Sequence, residues 1–325
     1  MQTQQLTTVS IRPFTADDYS AIARLHSVNF PEYGMDADEW RFDDEHRPAH
    51  CRWARWVAEW EGRVIGFAEY DQHPTHYHPR RFMLNLVVDP EFLSRGVGRC
   101  LYDRVMADVR ALDAENIDAW SREDMPDRVR FFVRRGFVED MRMWTSELDL
   151  TRFDATRFAH LAPAVEAQGI QIRTLSQLGH ADPHVQRKLY EMWLEVRRDV
   201  PHPPGDEPRD VSFDLYWELH NRPQLLPAGF FVALDGEHYV GMSQLWRSAN
   251  PSVLRTGLTG VRRAYRRRGI AFALKVRSLE FAHAEGYTRV ETENELNNRG
   301  MLAINDALGF AKNPAWLHFS KSIYD

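Results

Sequence analysis

The stretch "RRAYRRRGIAFALK", residues 262–275, places five arginines directly before Gly269 and an apolar, helix-like run. Such a concentration of positive charge at the start of a helix has two explanations: a nucleic-acid surface, or a small-anion site that also uses the backbone of the turn. A glycine-containing turn before a helix directs several unpaired N–H groups, and the positive end of the helix dipole, at one point. The rest of the chain decides between the two explanations.

The chain as a whole is acidic. Its 325 residues contain 41 Lys and Arg against 47 Asp and Glu, a formal charge of −6. Because such a surface repels a polyphosphate, we expect no nucleic-acid partner and favour the small-anion site. The length predicts two domains of about 150 residues each. The hydrophobic content of 43% is enough to fill two cores.

Other sequence features indicate where the protein resides. The two cysteines, Cys51 and Cys100, give no disulfide framework and fit a reducing compartment. The first residues lack a signal-peptide pattern and no apolar run approaches about 18 residues, so we expect a soluble, cytoplasmic protein with no membrane partner. His73, His76 and His78 lie between two predicted strands without supporting carboxylates or cysteines, so we predict a surface loop and no metal site.

The sequence around Gly269 occurs twice. The strand-like segment "RFMLNLVV" leads through a polar turn to Gly96, as "SVLRTGLTGV" leads to Gly269. Each copy ends in a Gly-Phe pair, at Gly136 and at Gly309, and the spacing is the same because 136 − 96 = 40 and 309 − 269 = 40. The chain is therefore predicted to be a tandem duplication.

The predicted domain boundaries follow from the duplication: an N-terminal domain over 1–150, a connecting helix over 151–169 and a C-terminal domain over 170–325. The connecting segment has Phe158, Leu161 and Val165 at helical spacing, which indicates packing on a core. In the second copy, hydrophobic periodicity predicts a helix over 184–199, a hairpin that turns at Asp235-Gly236, a strand over 253–261, and helices over 269–285 and 298–308.

Two other phosphate-binding folds also use glycine-rich turns. In the dinucleotide-binding fold the turn follows the first strand of the domain, whereas here it follows roughly the fourth. A P-loop requires Gly-Lys followed by Ser or Thr, which neither copy has. Neither fold explains the repeated turn.

The segment Arg266-Arg267-Arg268-Gly269-Ile270-Ala271 resembles the signature of the GNAT acetyltransferases, Arg/Gln-x-x-Gly-x-Gly/Ala, at the start of the helix after the fourth strand. The first copy keeps both glycines, Gly96 and Gly98, but has Leu93 where Arg or Gln is expected. The stretch "TENELNNRGMLAINDALGF" resembles tandem GNAT enzymes of the mycothiol synthase-like type. The resemblance covers nearly the whole chain and implies a mixed α/β (α+β) fold with two tandem GNAT-like domains, each a mostly antiparallel splayed sheet flanked by helices.

The resemblance implies acetyl-coenzyme A as cofactor, with its pyrophosphate on the glycine turn and its pantetheine along the fourth strand. The cofactor-binding residues implied are Val261, Arg266, Arg267, Arg268, Gly269, Ile270 and Ala271 in the second copy, and Val88, Ser94, Arg95, Gly96, Val97 and Gly98 in the first. Backbone N–H groups near Val88 or Val261 are the implied oxyanion donors. The implied activity is direct N-acetylation of a primary amine of a small molecule, by a pseudo-dimeric monomer or a homodimer.

Many family members have a tyrosine four residues before the Gly of Gly-Phe, which protonates the leaving thiolate. Phe132 and Asn305 occupy these positions here, and of the two only Asn305 can hydrogen-bond. Glu291 and Glu293 lie two apart on a predicted strand and therefore share a face, so either is a candidate base or a binding group for a cationic acceptor. The alternative is that both are solvated carboxylates at a sheet edge.

In the first copy the equivalent strand has Asp118 and Glu123, a poorer pattern, so we predict that the second copy is the active one. The extended segment 199–210 is expected to lie over the acceptor cleft of the second copy, with His202, Asp206 and Glu207 near the substrate, or to be an ordinary polar loop. Because a dedicated tyrosine acid is missing, an acyl-coenzyme A sensor without strong catalysis is the alternative function.

Overall fold

The computed structural model describes residues 9–206 and 208–324. They form two compact units. Unit 1 contains the described residues up to Met141, those of 204–209, and those from Leu317 onward, and unit 2 contains Arg142–Pro203 and Asp210–Trp316. The division differs from the predicted boundaries at 150 and 170, because each unit includes residues from both predicted domains. Within the described ranges, no helix combines the length and apolarity needed to cross a membrane.

The described residues of the first half of the chain form six strands and four α-helices. They are β1 (Ser10–Pro13), α1 (Tyr19–Asn29), α2 (Ala37–Glu45), β2 (Ala54–Trp60), β3 (Arg63–Asp71), β4 (Arg81–Val88), α3 (Val97–Ala111), β5 (Asn116–Arg122), α4 (Pro126–Val133) and β6 (Val138–Asp149).

The second half forms the remaining described elements. They are α5 (Leu161–Glu166), β7 (Ile170–Thr174), α6 (Leu175–Leu178), α7 (Pro183–Arg197), α8 (Phe213–His220), β8 (Phe231–Asp235), β9 (His238–Arg247), β10 (Val253–Val261), α9 (Ile270–Ala284), β11 (Arg289–Glu295), α10 (Arg299–Leu308), β12 (Ala311–Lys312) and β13 (Trp316–Ser322).

The sheet of unit 1 has the strand order β1-β2-β3-β4-β5-β13. Strands β1 to β4 are joined antiparallel, and β5 is added parallel to β4. Helix α3 packs on β2, β3 and β4. It buries Val97, Leu101 and Val105, which recur every four residues along one face. The last strand in this order, β13, comes from the C-terminal part of the chain.

The sheet of unit 2 has the strand order β6-β11-β10-β9-β8-β7. Its β7-β8-β9-β10 portion is antiparallel, β11 is parallel to β10, and β6 is antiparallel to β11. Helix α9 packs on β8, β9 and β10. The two units therefore repeat one mixed α/β arrangement, mostly antiparallel and flanked by helices, as the duplication predicts. Strand β6 belongs to the first half of the sequence, yet most of it completes the sheet of unit 2.

The connecting segment is not the single helix predicted over 151–169. It contains two short 3-10 turns, Leu150–Arg152 and Ala155–Phe158, before α5. The carboxylates of Asp149 and Asp154 accept hydrogen bonds from the backbone N–H groups two residues later, which closes each turn locally instead of extending one helix. Val165 is buried against Ile270, so the predicted packing on a core is confirmed.

Helix α2 was missed in the sequence, although a signal for it was present. Asp36 accepts hydrogen bonds from the N–H groups of Asp38 and Glu39, and the Glu39 carboxylate accepts from the N–H of Asp36. This reciprocal capping box marks the start of a helix.

Candidate functional site

The two central strands of unit 1 separate partway along their length. Strand β4 pairs with β5 only from Arg81–Asn116 to Leu84–Ala119. Beyond Leu84, the residues of β4 pair with β3 alone among the described strands. The sheet therefore opens between β4 and β5, and a turn follows that leads into α3. We call this opening the first split.

The turn after β4 has an unusual backbone. Ser94 and Gly96 both have positive φ, 60° and 89°, and Gly96 is the N-cap of α3. A Cβ on Gly96 would meet nothing within 4 Å, so the backbone there faces open space. Because the first N–H groups of a helix lack intrahelical partners, the turn presents free donors and the positive end of a helix dipole. Such a turn binds anions well.

A cavity of ≈ 590 Å³ lies at this turn. It is formed by the end of β4, the turn, the first residues of α3 and the face of α4. Its lining includes Leu86, Val88, Phe92, Ser94, Gly96, Gly98, Arg99, Pro126, Arg128, Arg130, Phe131, Arg134 and Arg135. The lining combines apolar side chains with several arginines, which suits a ligand with an apolar and an anionic part.

Unit 2 repeats this arrangement at the second turn. Strand β10 pairs with β11 only from Val253–Arg289 to Arg255–Glu291, which defines a second split. Arg267 and Gly269 have φ of 60° and 78°, and Gly269 is the N-cap of α9. In both turns the non-glycine residue with positive φ, Ser94 or Arg267, lies two residues before the capping glycine. A non-glycine residue held at positive φ costs free energy and persists where the surrounding fold requires it.

Most arginines of the second turn already have partners within unit 2. Among the described residues, Arg262 pairs with Glu195, and Arg263 and Arg266 pair with Asp199. The pKa of Asp199 is lowered, and its hydrogen bond with Arg263 is the largest cause. Three of the five arginines therefore already hold carboxylates of unit 2 in this structure.

Two further contacts hold the backbone of the second turn. Nε of Arg266 donates to the carbonyl of Val261 at 3.1 Å, and Nε of Arg268 donates to Oε1 of Gln168 at 3.0 Å. Arg267 is exposed and forms no ion pair or side-chain hydrogen bond within the described ranges. The arginines thus fix the shape of the turn, and Arg267 is the one left available to a ligand.

The predicted strand with Glu291 and Glu293 is confirmed as β11, but the two carboxylates have different environments. Glu291 is half-buried and accepts a hydrogen bond from Nε of Arg255 at 3.4 Å. Burial raises its pKa, and Arg255 opposes that shift. Glu293 is exposed. The raised pKa makes Glu291 a better proton acceptor than an ordinary exposed carboxylate.

Asn305 lies in a buried polar cluster on the opposite face of β11, with Lys275, Thr292 and Asn294. Its Oδ1 accepts a hydrogen bond from Nζ of Lys275, and its Nδ2 donates to Oδ1 of Asn294. Nζ of Lys275 also lies 3.3 Å from Oγ1 of Thr292. Burial lowers the pKa of Lys275 to about 7. The structure thus groups Asn305 with Lys275 and places Glu291 elsewhere.

Lys275 was not among the predicted functional residues, although its position gives a signal. It is 1% exposed and lies four residues before Leu279 and seven before Ala282, which are also buried. A lysine on the apolar face of a helix requires a buried acceptor or a lowered pKa. Asn298, in contrast, caps α10, because its side chain accepts a hydrogen bond from the N–H of Met301.

Unit 1 contains a second buried polar cluster, formed by Asp118, Asp140 and His318. Nδ1 of His318 lies 2.6 Å from Oδ1 of Asp140, and its Nε2 is buried with no hydrogen-bond partner in the described structure. Burial raises the pKa of Asp118 to about 7, although Arg81 opposes the shift. Sequence reasoning recognised Asp118 alone, because His318 and Asp140 are far from it in the chain.

The implied oxyanion positions, Val88 and Val261, are the last residues of β4 and β10. The segment 199–210 was expected to lie over the cleft of the second copy. The described residues of 204–209 instead belong to unit 1. There the carbonyl of Pro204 accepts from Nη2 of Arg81, and the N–H of Arg209 donates to the carbonyl of Thr75. Glu207 lies outside the described residues.

Comparison with known proteins agrees with this duplicated arrangement. The sequence profile of the acetyltransferase (GNAT) family matches twice, at residues 19–137 and 188–310. The chain is 27% identical over 191 residues to a mycothiol acetyltransferase from Acidothermus cellulolyticus, an alignment that covers 58% of this chain and spans half of the relative's length.

Solved structures show the same fold over nearly the whole chain. A tandem GNAT protein from the clavulanic acid biosynthesis pathway superimposes with a TM-score of 0.78 at 21% identity, covering 97% of this chain and 99% of its own. A GCN5-related N-acetyltransferase from Sphaerobacter thermophilus superimposes with a TM-score of 0.70 at 20% identity, covering 97% and 96%. At these identities the likeness concerns the fold.

Proposed function

Because the chain belongs to the acetyltransferase (GNAT) family, we propose that it transfers an acetyl group from acetyl-coenzyme A directly to a primary amine of a small molecule in the cytoplasm, and that unit 2 carries out the reaction. The observation that supports this is the second split and its turn: strand β10 separates from its parallel neighbour, and the turn after it leads to the glycine-capped start of α9. The name of the relative from Acidothermus cellulolyticus supports acetyl as the transferred group.

The second turn fits a diphosphate. The nearest atom to a Cβ placed on Gly269 is Cγ2 of Val165 at 4.0 Å, so the backbone of the turn is not covered by close contacts. The N–H groups of Ile270 and Ala271 belong to the first turn of α9 and lack intrahelical acceptors. The exposed side chain of Arg267 adds a charged donor beside them. Acetyl-coenzyme A would supply the acyl thioester.

Acylation requires that an ammonium acceptor lose a proton. The raised pKa of Glu291 makes its carboxylate a stronger base than an exposed one. We therefore assign Glu291 the acceptance of this proton, directly or through a water molecule. Glu293 is exposed on the same face of β11 and is suited to attract a cationic acceptor.

Asn305 is assigned the stabilisation of the departing thiolate by a hydrogen bond. An amide is not a proton donor of useful acidity, so the role is that of an oriented dipole. Lys275 donates to Oδ1 of Asn305 and thereby fixes which end of the amide carries the N–H groups. A thiol has a pKa of about 8.5, so solvent can complete its protonation.

An acyl-coenzyme A sensor remains the second candidate, and the hydrogen bonding of Asn305 favours it. Both ends of that amide are already bound, to Lys275 and to Asn294, and the matching residue of unit 1, Phe132, has no hydroxyl. A protein with these properties would bind the donor tightly and turn over slowly.

Release of free thiol from acetyl-coenzyme A, measured with a panel of amines, tests the proposal. Gly269→Glu places a carboxylate at the second turn and should abolish the amine-dependent rate, because it repels the diphosphate and fills its space. Gly96→Glu is the matched control, since Gly96 has the same backbone region and equally open surroundings. Gly96→Glu should retain most of the amine-dependent rate of thiol release.

Three results decide between the candidates. Loss of activity in Gly269→Glu with retention in Gly96→Glu supports catalysis in unit 2. The opposite pattern places the reaction in unit 1. Tight binding of acetyl-coenzyme A without thiol release on any amine would support the sensor. Circular dichroism of both variants checks that each one is folded.

A further inference from the structure

Arg128 bridges the first split. It lies on α4, and its Nη1 donates a hydrogen bond to the carbonyl of Leu86 on β4. Its Nε and Nη2 donate to the carbonyl of Trp120 on β5, at 3.4 and 3.3 Å. Leu86 and Trp120 both lie beyond the last paired residues of the two strands, Leu84 and Ala119. A guanidinium thus takes the place of the backbone contacts that the strands lose when they separate.

The position is costly for a charged group. The guanidinium carbon lies 5.3 Å from the ring centre of Phe30 and 5.5 Å from that of Phe132. Among the described residues, no carboxylate lies within ion-pair distance of Arg128. Burial lowers its pKa to about 10, so the group still carries its charge at neutral pH. Within the described structure, carbonyl oxygens and aromatic faces compensate this charge.

The second copy has no such group at the matching position. Counted back from the Gly of each Gly-Phe pair, Arg128 corresponds to Met301, because 136 − 8 = 128 and 309 − 8 = 301. Met301 is half-buried, and its sulfur lies 4.0 Å from Nζ of Lys275. Its side chain has no N–H donors, so it cannot satisfy strand carbonyls as Arg128 does.

We propose that Arg128 closes the first split to the extended arm of an acyl-coenzyme A, so that unit 1 accepts the nucleotide end at most, while Met301 leaves the second split open to the whole molecule. This inference builds on the proposed function and adds the residue that confines acyl transfer to unit 2. An extended arm binds a separated strand by pairing with its free N–H and C=O groups. In unit 1 the carbonyl of Leu86 is already bound, and pairing there would require displacement of a half-buried cation from both strands.

The cavity in unit 1 fits this division. It reaches from the turn at Gly96 to Arg128, and both residues are part of its lining. One part of its lining is the backbone of the turn, and another part is the guanidinium of Arg128. A ligand with a phosphate end and a long arm would therefore find a binding surface for the first part and a closed channel for the second.

The test compares coenzyme A with adenosine 3′,5′-bisphosphate, which lacks the arm and the second phosphate of the diphosphate, by calorimetry on the full-length chain. In a Gly269→Glu background only the first turn is available. There we expect the two ligands to bind with similar affinity while Arg128 is intact. Arg128→Met, which installs the residue of the second copy, should make coenzyme A bind at least about tenfold more tightly than the bisphosphate.

The reciprocal change keeps the inference testable if Arg128→Met does not fold. In a Gly96→Glu background, Met301→Arg should remove the advantage of coenzyme A over the bisphosphate at the second turn. A strong preference for coenzyme A at the first turn with Arg128 intact would overturn the inference, and so would an unchanged ratio in folded Arg128→Met. If the unmodified chain binds neither ligand, the proposed function itself fails, and this inference fails with it.

Discussion

Nζ of Lys275 donates a hydrogen bond to Oδ1 of Asn305, and both side chains are buried in unit 2. The bond joins a residue of α9 to a residue of α10, at the face of β11 that carries Thr292 and Asn294. It links the helix that starts at the glycine turn to the helix that ends at the Gly-Phe pair. The contribution of Lys275 to the free energy of unfolding can be measured through its dependence on pH.

Lys275 is expected to make the protein more stable as pH rises from about 7 to about 10. Burial lowers its pKa to about 7 in the folded protein, whereas an unfolded lysine has a pKa of about 10.4. Between these values the unfolded state binds a proton that the folded state does not, so the free energy of unfolding rises by up to about 1.4 kcal/mol per pH unit. In Lys275→Met, the free energy of unfolding measured with urea should lack this part of its rise with pH.

Lys188→Met is the control for this prediction. Lys188 is partly exposed and pairs with Glu237, which raises its pKa, so the residue stays mostly protonated in both states over the same window. Its replacement should leave the slope of the wild-type protein. Equal slopes for Lys275→Met and the wild type would show that the lysine is protonated where it is buried.

Asp118 is expected to have the opposite effect on the free energy of unfolding, over a lower pH range. Burial raises its pKa to about 7, against about 3.9 in an unfolded chain, so the folded state binds more protons between these values. The contribution of Asp118 to stability therefore falls as pH rises from about 4 to about 7. Asp118→Asn should gain more than about 1 kcal/mol relative to the wild type between pH 4.5 and pH 7.5. A constant difference between the two proteins would contradict this assignment.

Ser94 tests the strain in the first turn. Its φ of 60° is unfavourable for a residue with a Cβ, by about 1–2 kcal/mol, while glycine adds an entropic cost of about 0.5–1 kcal/mol. Ser94→Gly should therefore raise the free energy of unfolding by about 0.5 kcal/mol. Ser94→Ala keeps the Cβ and should give no gain, and Ser94→Val should be the least stable of the three. Chemical denaturation of the series checks this order.

Gly260 tests how closely α7 approaches β10. A Cβ on Gly260 would lie 2.1 Å from Cγ1 of Val196, so Gly260→Ala should cost about 1–3 kcal/mol. Because Val196 lies between Glu195 and Asp199 on the chain, this close approach also positions the two carboxylates that hold the turn arginines.

A double-mutant cycle isolates the Gly260 contact. Val196→Ala removes the clashing methyl groups, so the two substitutions together should cost less than the sum of the single ones, by at least about 0.5 kcal/mol. Additive costs would mean that the loss in Gly260→Ala has a source other than Val196.

The sequence predicted those features of the site that depend on neighbours in the chain. Gly96 and Gly269 stand where each helix starts, and the apolar residues after them recur at helical spacing, so both turns and both helices could be located without coordinates. The hairpin at Asp235-Gly236 and the cap at Asn298 were predictable for the same reason. The equal spacing of the two copies then indicated a duplication.

The partners of these features depend on residues far apart in sequence. Which carboxylates hold the turn arginines depends on how α7 packs on β10, and the arginine run itself contains no sign of Glu195 or Asp199. Lys275 and Asn305 meet because two helices lie on one face of β11. The exclusion of solvent that lowers the pKa of Lys275 arises from that packing alone.

Backbone geometry and helical periodicity are local properties, so the sequence by itself determined the two glycine turns, the helices after them and the repeat. Tertiary structure decided that β13 completes the sheet of unit 1 and most of β6 that of unit 2, and that Arg128 fills one split while Met301 leaves the other without a charge. Strand order and the partners of a guanidinium depend on which distant segments pack together, and a local sequence pattern contains no information about that choice.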